Sequence, residues 1–157
     1  CSVCASRARC AACRERRHRR PAVPATAESR PGLHVLRDPN CGCCSAWVDI
    51  LQADGFEVTV EESEGAALAQ YKLDNGIPPA MGSCHTAKIA GYMIEGHVPP
   101  ADIRRLLDER PDAIGIAVPG MPYGSPGMGP AGEREAYEVF LIRRDGSTEV
   151  YASYAAA

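Results

Sequence analysis

Leu33-His34-Val35-Leu36-Arg37-Asp38-Pro39-Asn40-Cys41-Gly42-Cys43-Cys44-Ser45-Ala46-Trp47-Val48-Asp49-Ile50-Leu51 passes from an apolar stretch through a turn into an amphipathic one, with three thiols at the joint. Leu33 to Leu36 reads as a short buried strand. Asp38-Pro39-Asn40 is turn chemistry, with Asn40 placed to cap a helix. Trp47, Ile50 and Leu51 fall at i, i+3, i+4 spacing, which predicts a helix ending near Gly55. Cys41 and Cys44 then share the first helical turn, where free backbone N–H groups and the helix dipole favour negative charge. Such a setting lowers a thiol's pKa. Thiolates select Cu(I), zinc or iron–sulfur clusters over hard cations. A fourth thiol, Cys84, stands in Ser83-Cys84-His85-Thr86. Cys41 to Cys44 is also C-x-x-C, so redox exchange competes with metal binding. Inert cysteines or a structural disulfide form the blander alternative, although adjacent Cys43 and Cys44 make poor disulfide partners for one another.

Outward from this joint, Phe56 to Glu61 alternates with period two and predicts a second strand. Ser63 is placed to cap a helix over Ala66, Ala67, Leu68 and Tyr71 that stops at Asn75-Gly76. Ile77-Pro78-Pro79-Ala80 follows, an X-Pro segment in which a cis peptide is conceivable. Ser83 to Ala90 and Gly91 to Glu95 read as a third strand and its continuation. Pro99-Pro100 open a helix through Ile103, Leu106 and Leu107, with Asp102 in its first turn and Arg110 near its end. Residues 114–132 read as a Gly/Pro/Met loop. Glu138 to Arg143 and Thr148 to Tyr154 flank Asp145-Gly146, a hairpin signal. The thiols therefore stand at the first strand-to-helix turn, and in open α/β sheets ligands gather at the carboxyl ends of strands. The expected fold is a thioredoxin-like α/β domain: a central mixed sheet flanked by helices, with a C-terminal β-hairpin.

The 157 residues suit one domain, and 45% hydrophobic content suffices for a core. Net charge is −3, but residues 1–30 carry 8 Arg against 2 Glu, leaving residues 31–157 with 9 basic and 18 acidic side chains. An acidic body argues against nucleic acid as a partner, since phosphate needs a basic surface. No run reaches membrane-span length. Cys1, Cys4, Cys10 and Cys13 outline a C-x2-C-x5-C-x2-C that superficially resembles a zinc knuckle, though its central loop is short for such sites. An arginine run and a Pro/Ala stretch follow. Residues 1–30 are expected to be a disordered or artefactual extension without an intact secretory signal, and residues 31–157 the metal-binding domain.

Asp38 to Cys44, Ser83 to Ala87, Gly91-Tyr92-Met93-Ile94-Glu95-Gly96-His97-Val98-Pro99 and Pro119-Gly120-Met121-Pro122-Tyr123-Gly124-Ser125-Pro126-Gly127-Met128 together resemble the bacterial copper-resistance CopG-type family. The likeness covers about residues 33–154. It implies a thioredoxin-like fold, a periplasmic setting, and copper held by Cys41, Cys43, Cys44 and Cys84. A copper exporter or another periplasmic copper carrier is the partner to expect. Two departures stand out. Residues 1–30 replace the expected export signal, and Gly129 stands where an acidic residue is expected.

Among other candidate ligands, His85 adjoins Cys84, but a backbone hydrogen bond at a strand edge is its first reading. His97 precedes a helix and reads as an ordering residue. His34 reads as a core or face histidine of the first strand. Met121 and Met128 lie in a loop without helical period, and thioether sulfur suits Cu(I). Met81 and Met93 read as packed. No phosphate-cradling loop, serine elbow or paired carboxylates compete. The expected function is Cu(I) binding for copper resistance or homeostasis, with more than one ion and with redox cycling as a further role. Thiol–disulfide exchange at Cys41 and Cys44 is the alternative, and structural zinc the third option. Cys43 favours copper, because exchange needs only two sulfurs.

Overall fold

The computed structural model describes residues 31–157, so the expectations for the four cysteines and the arginine run of residues 1–30 lie outside the described residues. The chain forms β1 (Leu33–Arg37), α1 (Gly42–Ala53), β2 (Val58–Glu62), α2 (Gly65–Asp74), β3 (His85–Ile89), β4 (Tyr92–Glu95), α3 (Pro100–Glu109), β5 (Gly115–Ala117), β6 (Tyr137–Ile142) and β7 (Thr148–Tyr154). All seven strands join one mixed sheet in the order β2-β1-β3-β4-β5-β6-β7. β1 runs parallel to β2 and antiparallel to β3, and β4 runs parallel to β5. The described residues thus form a mixed α/β fold with three helices, as the alternation of periods predicts.

The main core gathers Leu33, Val35, Trp47, Leu51, Ile94, Ile103, Leu106 and Ile116, so α1 and α3 cover one face of the sheet. A smaller cluster of Ile77, Met93, Ala117 and Ile142, with Tyr71 and Met81 against it, lies under α2 on the other face. Met81 and Met93 pack as expected. No helix among the described residues is long and apolar enough to cross a membrane.

Several local expectations need correction. Asn40 does not cap α1; Cys41 is the N-cap residue, and its Sγ accepts the Cys44 N–H at 3.3 Å. The sulfur has taken the place of the usual cap oxygen because the turn ends one residue later than its Asn suggests. Likewise α2 is capped at Glu64 without a side-chain bond, not at Ser63. No cis peptide occurs among the described residues, and Pro79 opens a short 3-10 turn, Pro79–Met81. The expected third strand and its continuation are two antiparallel strands, β3 and β4, reversed at Ala90-Gly91 with positive φ at both residues. The 114–132 loop hides β5, too short at three residues for a periodic signal.

Candidate metal centre

Strand register brings four chain segments to one edge of the sheet. Arg37 at the end of β1 pairs with His85 at the start of β3, Thr86 pairs with Glu95 at the end of β4, and Glu95 pairs with Ala117 at the end of β5. The cysteine turn, the Ser83-Cys84 approach, the Gly96-His97 exit and the loop after β5 therefore converge, at the carboxyl ends of β1, β4 and β5. That is the edge where ligands are expected.

Cys41 and Cys44 are joined by a disulfide, while Cys43 and Cys84 are free thiols. Cys43 Sγ lies 3.4 Å from Cys41 Sγ and 3.9 Å from Cys84 Sγ. Cys44 is fully buried; the other three are half-buried. One ligand atom from each of the four cysteines lies within 4.8 Å of every other. Reduction by two electrons and two protons would present four thiols to one point.

Two imidazoles extend the group. His85 Nδ1 is 3.3 Å and His97 Nε2 is 3.2 Å from Cys84 Sγ, so Cys84, His85 and His97 form a second cluster sharing that sulfur. His97 Nδ1 lies 2.8 Å from the Pro126 carbonyl oxygen, which can only accept. The Nδ1 proton is therefore committed, and Nε2 presents a lone pair to Cys84. The Cys84 proton can serve His97 Nε2, while His85 Nδ1 either donates to the sulfur or competes for that proton, according to its tautomer. His85 Nε2, fully buried, has no hydrogen-bond partner. Burial holds His85 far below its ordinary value, at about 3, with His97 and Lys72 adding to the effect. Burial also lowers His97, opposed by its bond to Pro126. Both are neutral imidazoles near pH 7, the form that ligates metal. Burial, then the neighbouring Cys43, pushes the Cys84 thiol up to about 11. The crowded sulfurs thus resist holding several charges unless a cation joins them.

The scaffold behind these groups is packed. The Trp47 ring lies 4.3 Å from His85 at a 39° tilt, His85 meets His97 edge-on at 4.9 Å, and Trp47 Nε1 donates to Val98 O at 2.9 Å. The methionine loop closes over the same edge. At Gly127, φ is +87°, and an added Cβ would stand 2.8 Å from Trp47 N and 2.9 Å from Cys43 O. Only glycine lets this backbone approach α1 so closely. Gly129, at φ +102°, has the Tyr123 ring 2.7 Å from where a Cβ would stand, so no acidic side chain fits there without displacing Tyr123. Gly120 N donates to Gly82 O at 3.1 Å, tying the loop's start to the Cys84 segment.

The structure therefore brings together Cys41, Cys43, Cys44 and Cys84 and adds His85, which the sequence reading weighed as a ligand against a backbone hydrogen bond, and His97, which it read first as an ordering residue. His97 both orders the loop, through Pro126, and faces the sulfur. The available signal was Cys84-His85 adjacency; nothing local tied His97 to Cys84. Met121 follows the Gly120 tie and is 54% exposed, and Met128 follows the Gly127 contact and is half-buried. His34 pairs with Glu61 at 3.1 Å across β1 and β2, away from the thiols. The donor set is sulfur and neutral imidazole without a carboxylate, a fit for a soft or borderline cation.

Fold and site define a mixed α/β protein with a thiol-rich cluster that could hold metal. A family described as "Protein of unknown function, DUF411" matches residues 81–128. No curated protein sequence matches the chain. Two solved structures are similar. "Copper resistance protein copG- Form 1" is 46% identical with a TM-score of 0.75, covering 81% of this chain and 99% of that one. "Copper resistance protein copG- Form 2" is 48% identical with a TM-score of 0.74, covering 80% of this chain and 99% of that one. The chain belongs to the CopG family of copper resistance proteins.

Proposed function

We propose that this protein binds Cu(I) for copper resistance, with more than one ion held by Cys41, Cys43, Cys44 and Cys84 and with Met121 and Met128 as outer thioether ligands. In this reading the fold is thioredoxin-like, the setting periplasmic, and the partner a copper exporter or another copper carrier. The observation that carries it is the convergence of four cysteine sulfurs and two neutral imidazoles on two clusters that share Cys84. A soft cation matches that donor set, with His97 Nε2 among its ligands. Copper is the cargo here, and Cys43 Sγ, 3.4 Å from Cys41 Sγ and 3.9 Å from Cys84 Sγ, would bridge several ions once the disulfide is reduced. Loading all four sulfurs would need an external dithiol reductant that delivers two electrons and two protons to the Cys41–Cys44 bond and is itself oxidised to a disulfide, which is the redox cycling expected of the thiols.

Anaerobic Cu(I) titration with elemental analysis tests this. The reduced chain should take up more than one Cu(I), and Cys41→Ser, Cys43→Ser and Cys44→Ser should each lose capacity or at least tenfold in affinity, as loss of a ligand demands. Unchanged stoichiometry in all three would sink the proposal. Deleting residues 1–30 separates any contribution of the four N-terminal cysteines, and the expected stoichiometry is unaltered. Loading displaces the Cys84 proton, so affinity should rise with pH below about 11, up to tenfold per unit for that proton. Replacing Met121 and Met128 together by Leu should weaken affinity while folding survives.

A second reading, thiol–disulfide exchange, is favoured by the Cys41–Cys44 disulfide itself, in which Cys41 is half-buried while Cys44 is fully buried. Cys43→Ser separates the two. It should weaken copper binding and leave exchange with glutathione intact if the second reading holds.

A further inference from the structure

We infer that the buried Lys72–Glu95 ion pair is a positioning device for the Cys84 thiol, an inference that rests on the metal-binding reading above only for its consequence for copper. Lys72 comes from α2 and Glu95 from the end of β4, and Nζ lies 2.7 Å from Oε1, with the Glu95 side chain fully buried. A buried ion pair is a poor source of stability, because the cost of removing both charges from water rivals their attraction. Its geometry shows another use. Lys72 Nζ donates to the Ser83 carbonyl oxygen at 2.5 Å, and the Ser83 N–H donates to Glu95 Oε1 at 2.7 Å.

Both backbone polar groups of the residue preceding Cys84 thus end on the pair. The Ser83 carbonyl lies in the same rigid peptide plane as Cys84 N and Cα. Lys72 therefore fixes the plane from which the Cys84 side chain departs, and Glu95 fixes the plane before it. The Ser83 hydroxyl donates to Gly120 O, which joins the methionine loop to the same anchor. No group of the pair touches a cysteine sulfur; it acts through Ser83. The sulfur so placed is the one shared by both clusters, so a small shift of this plane alters its distance to Cys43 and His97 together. Charge-assisted hydrogen bonds suit the task, being shorter and stronger than neutral ones. Ser83 and Lys72 both meet Oε1 of Glu95, so they orient the carboxylate, while its Oε2 faces the neighbouring Thr86 side chain.

The test is site-resolved alkylation of the reduced, metal-free full chain with iodoacetamide, read by mass spectrometry, in the parent and in Lys72→Met/Glu95→Gln. The double change avoids leaving one buried charge alone. Circular dichroism establishes that it folds. Cys84 should react about tenfold faster once its approach is released, while Cys43, on α1, stays within about twofold. A merely stabilising pair would leave that Cys84-to-Cys43 ratio unchanged in the folded variant, and this result overturns the inference. If the double variant does not fold, Glu95→Gln alone carries the comparison with a smaller rise in the ratio. Failure of both to fold assigns the pair to sheet stability and also overturns it. Cu(I) competition on the same samples should show about a tenfold loss of affinity in the double variant, the usual scale for outer partners of metal ligands. A parent that takes up no Cu(I) defeats the metal-binding reading instead, and the alkylation ratio still decides the inference.

Discussion

The two faces of the sheet are built on different principles. Under α1 and α3 the contacts are aliphatic and aromatic, with Trp47, Leu51, Ile103 and Leu106 all fully buried. Under α2 only four buried apolar residues form the core cluster, and a buried Lys–Glu pair takes the place of further packing. The first face supplies stability, and its Trp47 also backs the imidazoles. The second gives up apolar burial to hold Ser83, and next to it opens a cavity of about 470 Å³ that reaches Cys84. Holding a reactive sulfur in place and stabilising the fold are thus assigned to opposite sides of one sheet.

Breaking the first face should have the largest effect. Trp47→Ala removes the largest buried side chain and its bond to Val98, and should cost about 3–5 kcal/mol by denaturant unfolding. Lys72→Met alone should cost about 3 kcal/mol, the lower end for breaking a buried pair, because the stranded Glu95 can take up a proton. Adding Glu95→Gln should recover much of that loss. A double variant as unstable as Lys72→Met would show that the second face depends on its charges after all.

The two faces should also answer pH with opposite slopes. His85 is displaced from 6.5 to about 3, so between those values the unfolded chain binds its proton first and stability falls as pH falls. Burial raises Glu95 above its ordinary 4.5, against the opposing pull of Lys72. The folded state then holds that proton more tightly, and stability falls as pH rises above 4.5 through the folded value. In the reduced, metal-free protein, His85→Gln should flatten the acid side of the stability profile, and Glu95→Gln should remove the opposing slope. Each contribution is at most about 1.4 kcal/mol per pH unit. The smallest effect belongs to a solvent-facing pair outside both core clusters. Arg143 and Glu149 sit across the β6–β7 hairpin, half-exposed at 2.6 Å, and Arg143→Ala should change stability by no more than about 0.5 kcal/mol.

Much of the site was legible because its densest part is local. Three thiols in four residues at a strand-to-helix joint announce themselves, Cys84 and the loop methionines stand out by residue type, and the resemblance added that Cys84 shares the copper site. The hairpin at Asp145-Gly146 and the three helices were legible for the same reason: their signals repeat within a few residues. β5 escaped notice because three residues cannot show a period, and its place beside β4 is decided by partners far along the chain. The Cys41 cap escaped because Asn40, the better cap by chemistry, lies one position too early in the turn.

Sequence alone determined the sulfur-rich chemistry, the three helices, the C-terminal hairpin and the family, because residue type and short-range spacing carry them. Tertiary structure alone decided that His97 faces Cys84 and that Lys72 and Glu95 meet at Ser83. His97 is 13 residues from Cys84, and Glu95 is 23 from Lys72. Register between β3 and β4 and the packing of α2 fix those distances, and neither leaves a trace in the local pattern of polar and apolar residues. A lone buried histidine or glutamate reads the same in sequence whether it orders a backbone or faces a metal. The difference lies in which lone pairs are left pointing at a sulfur once the sheet has closed.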